Sequence, residues 1–146
     1  MSRSESGGDG SVLHHFGIIV ASIEESVADV SESMSARWTH PISVDEIQKV
    51  RVTFLTHASG GALIELVEPI GADSPVARFL ATGGGMNHLC YEVDDLERQI
   101  ERMKRCGGRL IRSPQPAIAF AQRRIAWMLT RQRVLIEYLE RGTVTE

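Results

Sequence analysis

Two histidines and two glutamates stand at matching places in the two halves of this 146-residue chain. His15 and His88 each open a short apolar run, HFGIIV and HLCYEV, and are separated by 73 positions. Glu65 and Glu137 lie inside the similar segments ALIELVE and VLIEYLE, separated by 72 positions. Imidazole and carboxylate groups are common ligands of divalent transition metals. The four residues are therefore candidate metal ligands, provided that the fold brings the two halves together.

The apolar neighbours of the two glutamates suggest that each carboxylate binds a partner. In a strand, residues two apart share a face, so Glu65 shares its face with Leu63 and Val67. Glu137 is flanked by two leucines in the same way. Burying a lone carboxylate among apolar side chains is costly unless it is paired or bound to a metal. A solvated position at the rim of a sheet is the usual alternative for one Glu. Two glutamates related by a repeat favour the metal.

The repeat extends well beyond these four residues. A small polar residue and a helical apolar pattern follow each His-containing run, and VRVTFL matches RRIAWM at the same spacing. Each half is therefore predicted to form a strand, then a helix over about 23–35 or 95–106, and then about three strands.

This organisation predicts one α+β domain made of two βαβββ modules. We place the domain over 12–142, with modules of about 12–70 and 86–141, after a disordered polar tail over 1–11. Hydrophobic residues make up 42% of the chain and charged residues 24%, which is typical of a globular protein.

The composition also excludes several classes of partner. A net charge of -3 gives no reason to expect nucleic acid, and no apolar run reaches the roughly 18 to 20 residues of a membrane span. The segment MSRSESGGDG lacks the apolar core of a secretory signal. Cys90 and Cys106 are too few for a disulfide framework or a cysteine-based zinc site. We therefore expect a reducing, cytoplasmic location.

Several segments carry a family resemblance. HHFGIIV, IELVEPIGADSPVARFL, GGGMNHLCYEVDDLE and VLIEYLE together resemble the vicinal oxygen chelate superfamily, which includes the glyoxalase and bleomycin-resistance proteins. The segment that runs from IELVEP to DSPVARFL, with the glycine-rich approach to His88, most resembles the methylmalonyl-CoA epimerases. The resemblance covers about Leu13 to Glu140.

The resemblance implies a fold and a ligand set. The superfamily has two βαβββ modules that form a U-shaped mixed sheet around a metal. Its ligand positions fall on four residues of this chain: His15, Glu65, His88 and Glu137. Zn, Co, Ni or Mn would suit two imidazoles and two carboxylates. The resemblance also implies a homodimer.

The implied chemistry is removal of a proton α to a carbonyl. A metal that binds the carbonyl oxygen makes this proton more acidic, and Glu65 and Glu137 are the candidate catalytic acids and bases. The substrate implied by the resemblance is an acyl-CoA thioester such as methylmalonyl-CoA. Arg123 and Arg124, part of a basic cluster in the second half, are candidate ligands of its phosphates.

Two other functions remain open on the same scaffold. The end of the first helix, VADVSESMSARW, lacks the aromatic pair that epimerases and glyoxalases usually carry, and the last hairpin turn, TRQR, is short. A glyoxalase-type lyase or an enzyme of secondary metabolism is therefore one alternative. A non-catalytic protein that binds a drug or another small molecule is the second, although it would not need four metal ligands.

Overall fold

The structure, a computed structural model, describes residues 10–142. The predicted tail over 1–11 therefore lies largely outside the described residues. The first half begins with strand β1 (Val12–Ile19) and helix α1 (Ile23–Ser33). Four strands follow: β2 (Ala36–Trp38), β3 (Ser43–Asp45), β4 (Val50–His57) and β5 (Leu63–Pro69).

A short helix, α2 (Ala77–Ala81), connects the two halves. The second half contains β6 (Gly85–Val93), α3 (Leu96–Arg105) and β7 (Arg109–Pro116). A 3₁₀ turn (Ile118–Phe120) leads from there to the last two strands, β8 (Arg124–Leu129) and β9 (Leu135–Glu140).

The strands of the described residues form one mixed sheet. The strand order is β2-β4-β5-β1-β6-β9-β8-β7, and β3 also pairs with β4. In each half the first strand pairs in parallel with the last, β1 with β5 and β6 with β9. The two halves meet where β1 and β6 pair antiparallel. A pseudo-twofold axis therefore passes between β1 and β6, and the predicted α+β fold is confirmed.

One strand differs between the halves. The counterpart of β7 is divided into β2 and β3, so that four strands rather than about three follow α1. Pro41 lies in the gap, and proline interrupts a strand ladder because it has no backbone N–H to donate. Pro114, the repeat equivalent of Pro41, lies where the pairing of β7 with β8 is irregular.

Both predicted helices form, with ends within two residues of the prediction. The Ser22 hydroxyl accepts a hydrogen bond from the Glu25 backbone N–H at 3.2 Å, and the Asp95 carboxylate accepts one from the Arg98 N–H at 3.0 Å. These side chains cap the otherwise unpaired N–H groups of each first turn. Helix α1 stops earlier than predicted because Ser35 adopts a left-handed backbone, with φ 51°.

Each helix covers the outer face of its own half-sheet. Ile23 of α1 packs against Leu55 and Ile64 of the first half. Leu96 of α3 packs against Met128 of the second half. Because side chains alternate along a strand, the residues next to these point to the inner face of the sheet. The two glutamates and the aromatic residues of β4 and β8 occupy that inner face.

An ion-pair cluster holds α1 to the first half-sheet. Arg51 Nη2 lies 2.7 Å from Glu24 Oε2, and Arg51 Nη1 lies 2.9 Å from Glu68 Oε2. Glu68 also accepts the Ile23 backbone N–H at 2.9 Å, at the start of α1. The cluster therefore links a helix and two strands.

Arg124 occupies the equivalent position in the second half. Its guanidinium lies 2.7 Å from Glu97 of α3 and 2.7 Å from Glu140 of β9. Hydrogen bonding to these carboxylates raises the pKa of Arg124 and lowers the pKa values of Glu97 and Glu140. The repeat shows that this is an anchoring arrangement on the helix side of the sheet. It does not place Arg124 towards a substrate.

Arg124→Ala should lower the free energy of unfolding by about 1 kcal/mol at neutral pH, with Arg51→Ala as the repeat-matched comparison. The carboxyl pKa of Glu140 is lowered in the folded protein. Its stabilising effect is therefore present above the unfolded carboxyl pKa, about 4.3, and is lost as the pH falls through the folded value. Urea unfolding between about pH 7 and pH 3 should show the variant approaching the wild type. A difference in unfolding free energy between the variant and the wild type that stays constant across this pH range would contradict a stabilising Arg124–Glu140 ion pair.

Candidate metal centre

The ladder between β1 and β6 brings the two predicted histidines to the pseudo-twofold axis. His15 lies opposite Cys90, and Gly17 lies opposite His88. The Nε2 atoms of the two imidazoles face each other at 3.4 Å. Each ring therefore sits over the strand of the other half.

A glutamate reaches the same point from the next strand on each side. Gly17 of β1 pairs with Glu65 of β5, and Cys90 of β6 pairs with Glu137 of β9. These two pairs are equivalent in the repeat. The pseudo-twofold axis thus delivers one imidazole and one carboxylate from each half.

The four donor atoms are close together. Glu65 Oε1 lies 3.4 Å from His15 Nε2 and 3.2 Å from His88 Nε2. Glu137 Oε1 lies 3.2 Å and 3.7 Å from the same two nitrogens. All four predicted ligands therefore converge on one point.

This spacing suits a small divalent ion. Ligand atoms about 2.0–2.2 Å from a tetrahedral zinc ion lie roughly 3.3–3.6 Å from one another. The His–His and His–Glu separations measured here run from 3.2 to 3.7 Å. The two carboxylates also supply two negative charges, which balance a divalent cation. The residues therefore fit the metal that the resemblance implies.

Burial of the two carboxylates is energetically unfavourable unless a cation accompanies them. His15 is fully buried, and Glu65, His88 and Glu137 are at most 5% exposed. Glu137 Oε1 is buried and accepts no hydrogen bond from the described residues, although His15 is near. A buried acceptor without a donor carries the full cost of its lost hydration. A cation at the centre of the cluster would remove that cost.

The ionisable groups already respond to one another. Burial alone lowers the pKa of His15, but the charge of Glu65 and the neighbouring side chains of Cys90 and Glu137 outweigh burial and raise it well above its usual range. Burial alone would raise the pKa of Glu65, yet His15 and His88 bring it far below its usual range. Glu65 is therefore an anion at neutral pH.

The residue before each histidine orients its ring. His14 Nδ1 lies 2.8 Å from His15 Nδ1, and Asn87 Oδ1 lies 2.9 Å from His88 Nδ1. Burial and repulsion by His15 lower the pKa of His14, which keeps its ring neutral and able to accept the His15 Nδ1–H. An outer hydrogen bond of this kind directs Nε2 towards the metal position. The repeat pairs His14 with Asn87, so the signal for both was present in the sequence.

Aromatic rings form the wall around the histidines. Phe54 contacts the His15 ring edge-on with centroids 5.3 Å apart, and its repeat equivalent Trp127 contacts His88 at 4.7 Å. Phe120 stacks on His15 at 5.7 Å. These contacts restrict the rotation of both imidazoles.

Gly17 and Cys90 occupy equivalent positions but play different parts. A Cβ atom at Gly17 would lie 2.0 Å from Cε1 of His88, so only glycine leaves room for this ring. Cys90 is fully buried beside His15. Burial, and then the charge of Glu137, raise the pKa of Cys90 to about 12, so its thiol stays neutral.

A cavity of about 510 Å³ opens above the cluster. Glu65, His88 and Glu137 line it, and His15 lies behind them. Its walls are mainly apolar: Ile19, Val50, Val52, Val67, Val76, Phe79, Ile125 and Trp127. The size and the few polar groups are typical of a small-molecule site.

The cavity also contains polar residues that the sequence analysis missed. Asp45, Gln48, Arg78 and Arg112 line it. None of the four has a chemically similar residue at the equivalent position of the other half, so the internal repeat did not single them out.

The two predicted substrate-binding arginines lie elsewhere. Arg124 belongs to the helix-side ion-pair cluster, and Arg123 Nη1 lies 2.7 Å from Glu92 Oε2. Neither residue lines the cavity. Consecutive strand residues point to opposite faces, so a cluster in sequence was not a cluster in space.

A sequence profile of the Glyoxalase/Bleomycin resistance protein/Dioxygenase superfamily matches residues 14–127. The chain belongs to this superfamily. The resemblance predicted from the sequence is thereby confirmed. Within the described residues, no helix is long and apolar enough to cross a membrane.

Several relatives of this chain are named epimerases. An ethylmalonyl-CoA/methylmalonyl-CoA epimerase of Cereibacter sphaeroides is 34% identical over 108 residues, which cover 73% of this chain and 78% of that protein. The human mitochondrial methylmalonyl-CoA epimerase is 33% identical over 64% of this chain, and the match spans 52% of the human protein.

A solved structure agrees with these sequence matches. The crystal structure of methylmalonyl-CoA epimerase from Mycobacterium tuberculosis superposes with a TM-score of 0.78 at 26% identity, covering 90% of this chain and 89% of that one. Epimerases are isomerases, so these three relatives are isomerase enzymes.

Gly17→Ala should displace the His88 ring and weaken metal binding by about 10-fold or more. Cys90→Ala, at the equivalent position, removes only a thiol and should leave metal affinity close to that of the wild type. Elemental analysis and chelator competition would measure both variants. Wild-type affinity in Gly17→Ala would show that His88 is not a ligand.

Proposed function

We propose that this protein is a metal-dependent epimerase that inverts the carbon α to the carbonyl of an acyl-CoA thioester, with methylmalonyl-CoA as the first substrate to test. The observation that supports it most is the convergence of two imidazoles and two carboxylates on the floor of an apolar cavity. The names of the relatives supply the class of substrate.

The metal would be held by His15, Glu65, His88 and Glu137. A divalent ion bound there would act as a Lewis acid towards a carbonyl oxygen and so acidify the neighbouring C–H bond. Zn, Co, Ni and Mn all accept this donor set. The remaining steps fall to the residues of the chain itself.

Proton transfer is best assigned to Glu137. Glu137 lines the cavity that would hold the substrate. When it does not hold the metal, its carboxylate would take up the α-proton, and inversion then requires a second acid to return a proton to the opposite face of the carbon.

The cavity walls suit the rest of such a substrate. Val52, Val67 and Trp127 surround the cluster and limit the access of water to it. A volume of about 510 Å³ holds the acyl group and part of the pantetheine arm, so the nucleotide of CoA would lie outside.

We further propose a cytoplasmic homodimer. Val12 and Met86 lie on the two central strands and are 55% and 56% exposed, which favours a covering partner. Cys90 and Cys106 are free thiols, in keeping with a reducing compartment. Light scattering should give about twice the chain mass of 16.1 kDa.

Solvent deuterium exchange tests the reaction directly. The metal-loaded protein should exchange the α-hydrogen of methylmalonyl-CoA for deuterium, as followed by mass spectrometry. Glu137→Gln nearly keeps the shape but removes the base, so exchange should fall by roughly 10²- to 10⁴-fold. Metal binding should weaken as well.

Two control variants make the result specific. Glu140 is three residues away and pairs with Arg124 on the other face, so Glu140→Gln should change exchange very little. Glu65→Gln should keep the metal and much of the activity, because the superfamily tolerates Gln there. Equal losses at Glu137 and Glu140 would overturn the role of Glu137. Metal binding without exchange of any thioester would favour a different enzyme on this scaffold.

A further inference from the structure

One amide in the cavity is buried and incompletely bonded. Gln48 lies just before β4 and is 9% exposed. Its Nε2 is buried and has no hydrogen-bond partner among the described residues. Its other side-chain atom, Oε1, accepts a hydrogen bond from Arg112 Nη1 at 2.9 Å. Since a guanidinium only donates, this contact requires Oε1 to face Arg112, and it fixes Nε2 as the atom without a partner.

The Gln48–Arg112 contact spans the cavity. Gln48 belongs to the first half and Arg112 to β7 of the second, and both line the cavity wall. Arg112 forms no ion pair with a carboxylate in residues 10–142. Its remaining donors and the free amide of Gln48 therefore form a set of hydrogen-bond donors that lack acceptors among the described residues.

The local turn holds Gln48 in place. The Asp45 carboxylate, buried at 3% exposure, accepts the Gln48 backbone N–H at 2.9 Å. One oxygen of the Asp45 carboxylate is therefore occupied by this backbone hydrogen bond. Asp45 is the only acidic residue among the described residues that line the cavity, apart from the two glutamates of the cluster.

The charge of the cavity favours an anion. A divalent ion would neutralise Glu65 and Glu137, which leaves Arg112 and the more exposed Arg78 against Asp45. Carboxylate and phosphate oxygens are the acceptors that a guanidinium and an amide bind best.

We propose that Gln48 Nε2 and the Arg112 guanidinium form an anion subsite of the cavity, which binds a carboxylate or phosphate oxygen of the substrate. This subsite rests on the proposed function in that it treats the cavity as the substrate site. It adds a requirement that the metal cluster does not impose, namely a second anionic group at a fixed position. An acyl-CoA offers two sources, a free carboxylate on the acyl group and the phosphates of CoA.

Gln48→Glu is the most informative variant. It keeps an acceptor for Arg112, so a purely structural contact would be preserved, but it replaces the free donor by a negative charge. Arg112→Gln removes the cation. Arg109→Gln, an exposed arginine on the same strand, is the matched control.

The zinc-loaded proteins would be titrated by calorimetry with malonate and with inorganic phosphate, and unfolding temperature and zinc content would be measured in parallel. We expect Gln48→Glu and Arg112→Gln to weaken binding of one or both anions by about 10-fold or more. Arg109→Gln should bind as the wild type, and Gln48→Glu should keep its melting temperature and its zinc. Wild-type affinity for both anions in Gln48→Glu would overturn the subsite and leave a structural link.

Kinetics identify the source of the anion. A methylmalonyl thioester of pantetheine keeps the carboxylate and lacks the phosphates. If the loss in kcat/KM in Gln48→Glu persists with this truncated substrate, the subsite binds the carboxylate, and if the loss disappears, it binds a phosphate. Loss of malonate or phosphate binding in these variants without any α-exchange in the wild type would uphold the subsite while rejecting the proposed function.

Discussion

Two carboxylates and two imidazoles share one buried point of this fold, and the rest of the structure holds them there. Moving like charges into an apolar interior is strongly unfavourable unless cations accompany them. The charge of Glu65 raises the pKa of His15, in keeping with this need for positive charge. A divalent ion, as proposed above, would supply that charge more strongly. Metal binding would then stabilise the fold, so the two would be thermodynamically coupled.

The pseudo-twofold axis explains how so much polarity is assembled inside a small sheet. Each half needs to bury only one histidine and one glutamate, and the antiparallel pairing of β1 with β6 brings the halves together. The close approach has a local steric requirement, because the His88 ring lies where the side chain of Gly17 would be. On the opposite face, repeated arginine-centred ion pairs attach the helices. One face of the sheet therefore attaches the helices, and the other face carries the four-residue cluster and the cavity.

The sequence predicted the symmetric part of this arrangement well, because an internal repeat places equivalent residues at a constant separation in the sequence. The four converging residues, both helices and the succession of a strand, a helix and about three strands in each half followed from matching positions. The divided strand at Pro41 did not, since a strand may contain proline at an irregular position, as β7 does at Pro114. Arg124 was a candidate phosphate ligand because it belongs to a basic cluster in sequence. Its equivalence to Arg51 in the same repeat points instead to the helix-side ion pairs that it forms. Gln48 and Arg112 are 64 positions apart without matching partners, and only the curvature of the sheet brings them together.

Symmetry also limits what the metal cluster is able to do. A site with a twofold axis presents equivalent ligand atoms from both sides. The α-carbon of the proposed substrate carries different groups, so it is asymmetric and must be held in one defined orientation. Orientation has to come from the residues that break the symmetry. Some of these lie close to the cluster, where His14 corresponds to Asn87 and Gly17 corresponds to Cys90. Others lie across the cavity, where Gln48 and Arg112 have no counterparts with the same role. Under the proposed function, the duplicated core would therefore hold the metal, and the unduplicated segments around the cavity would choose and align the substrate.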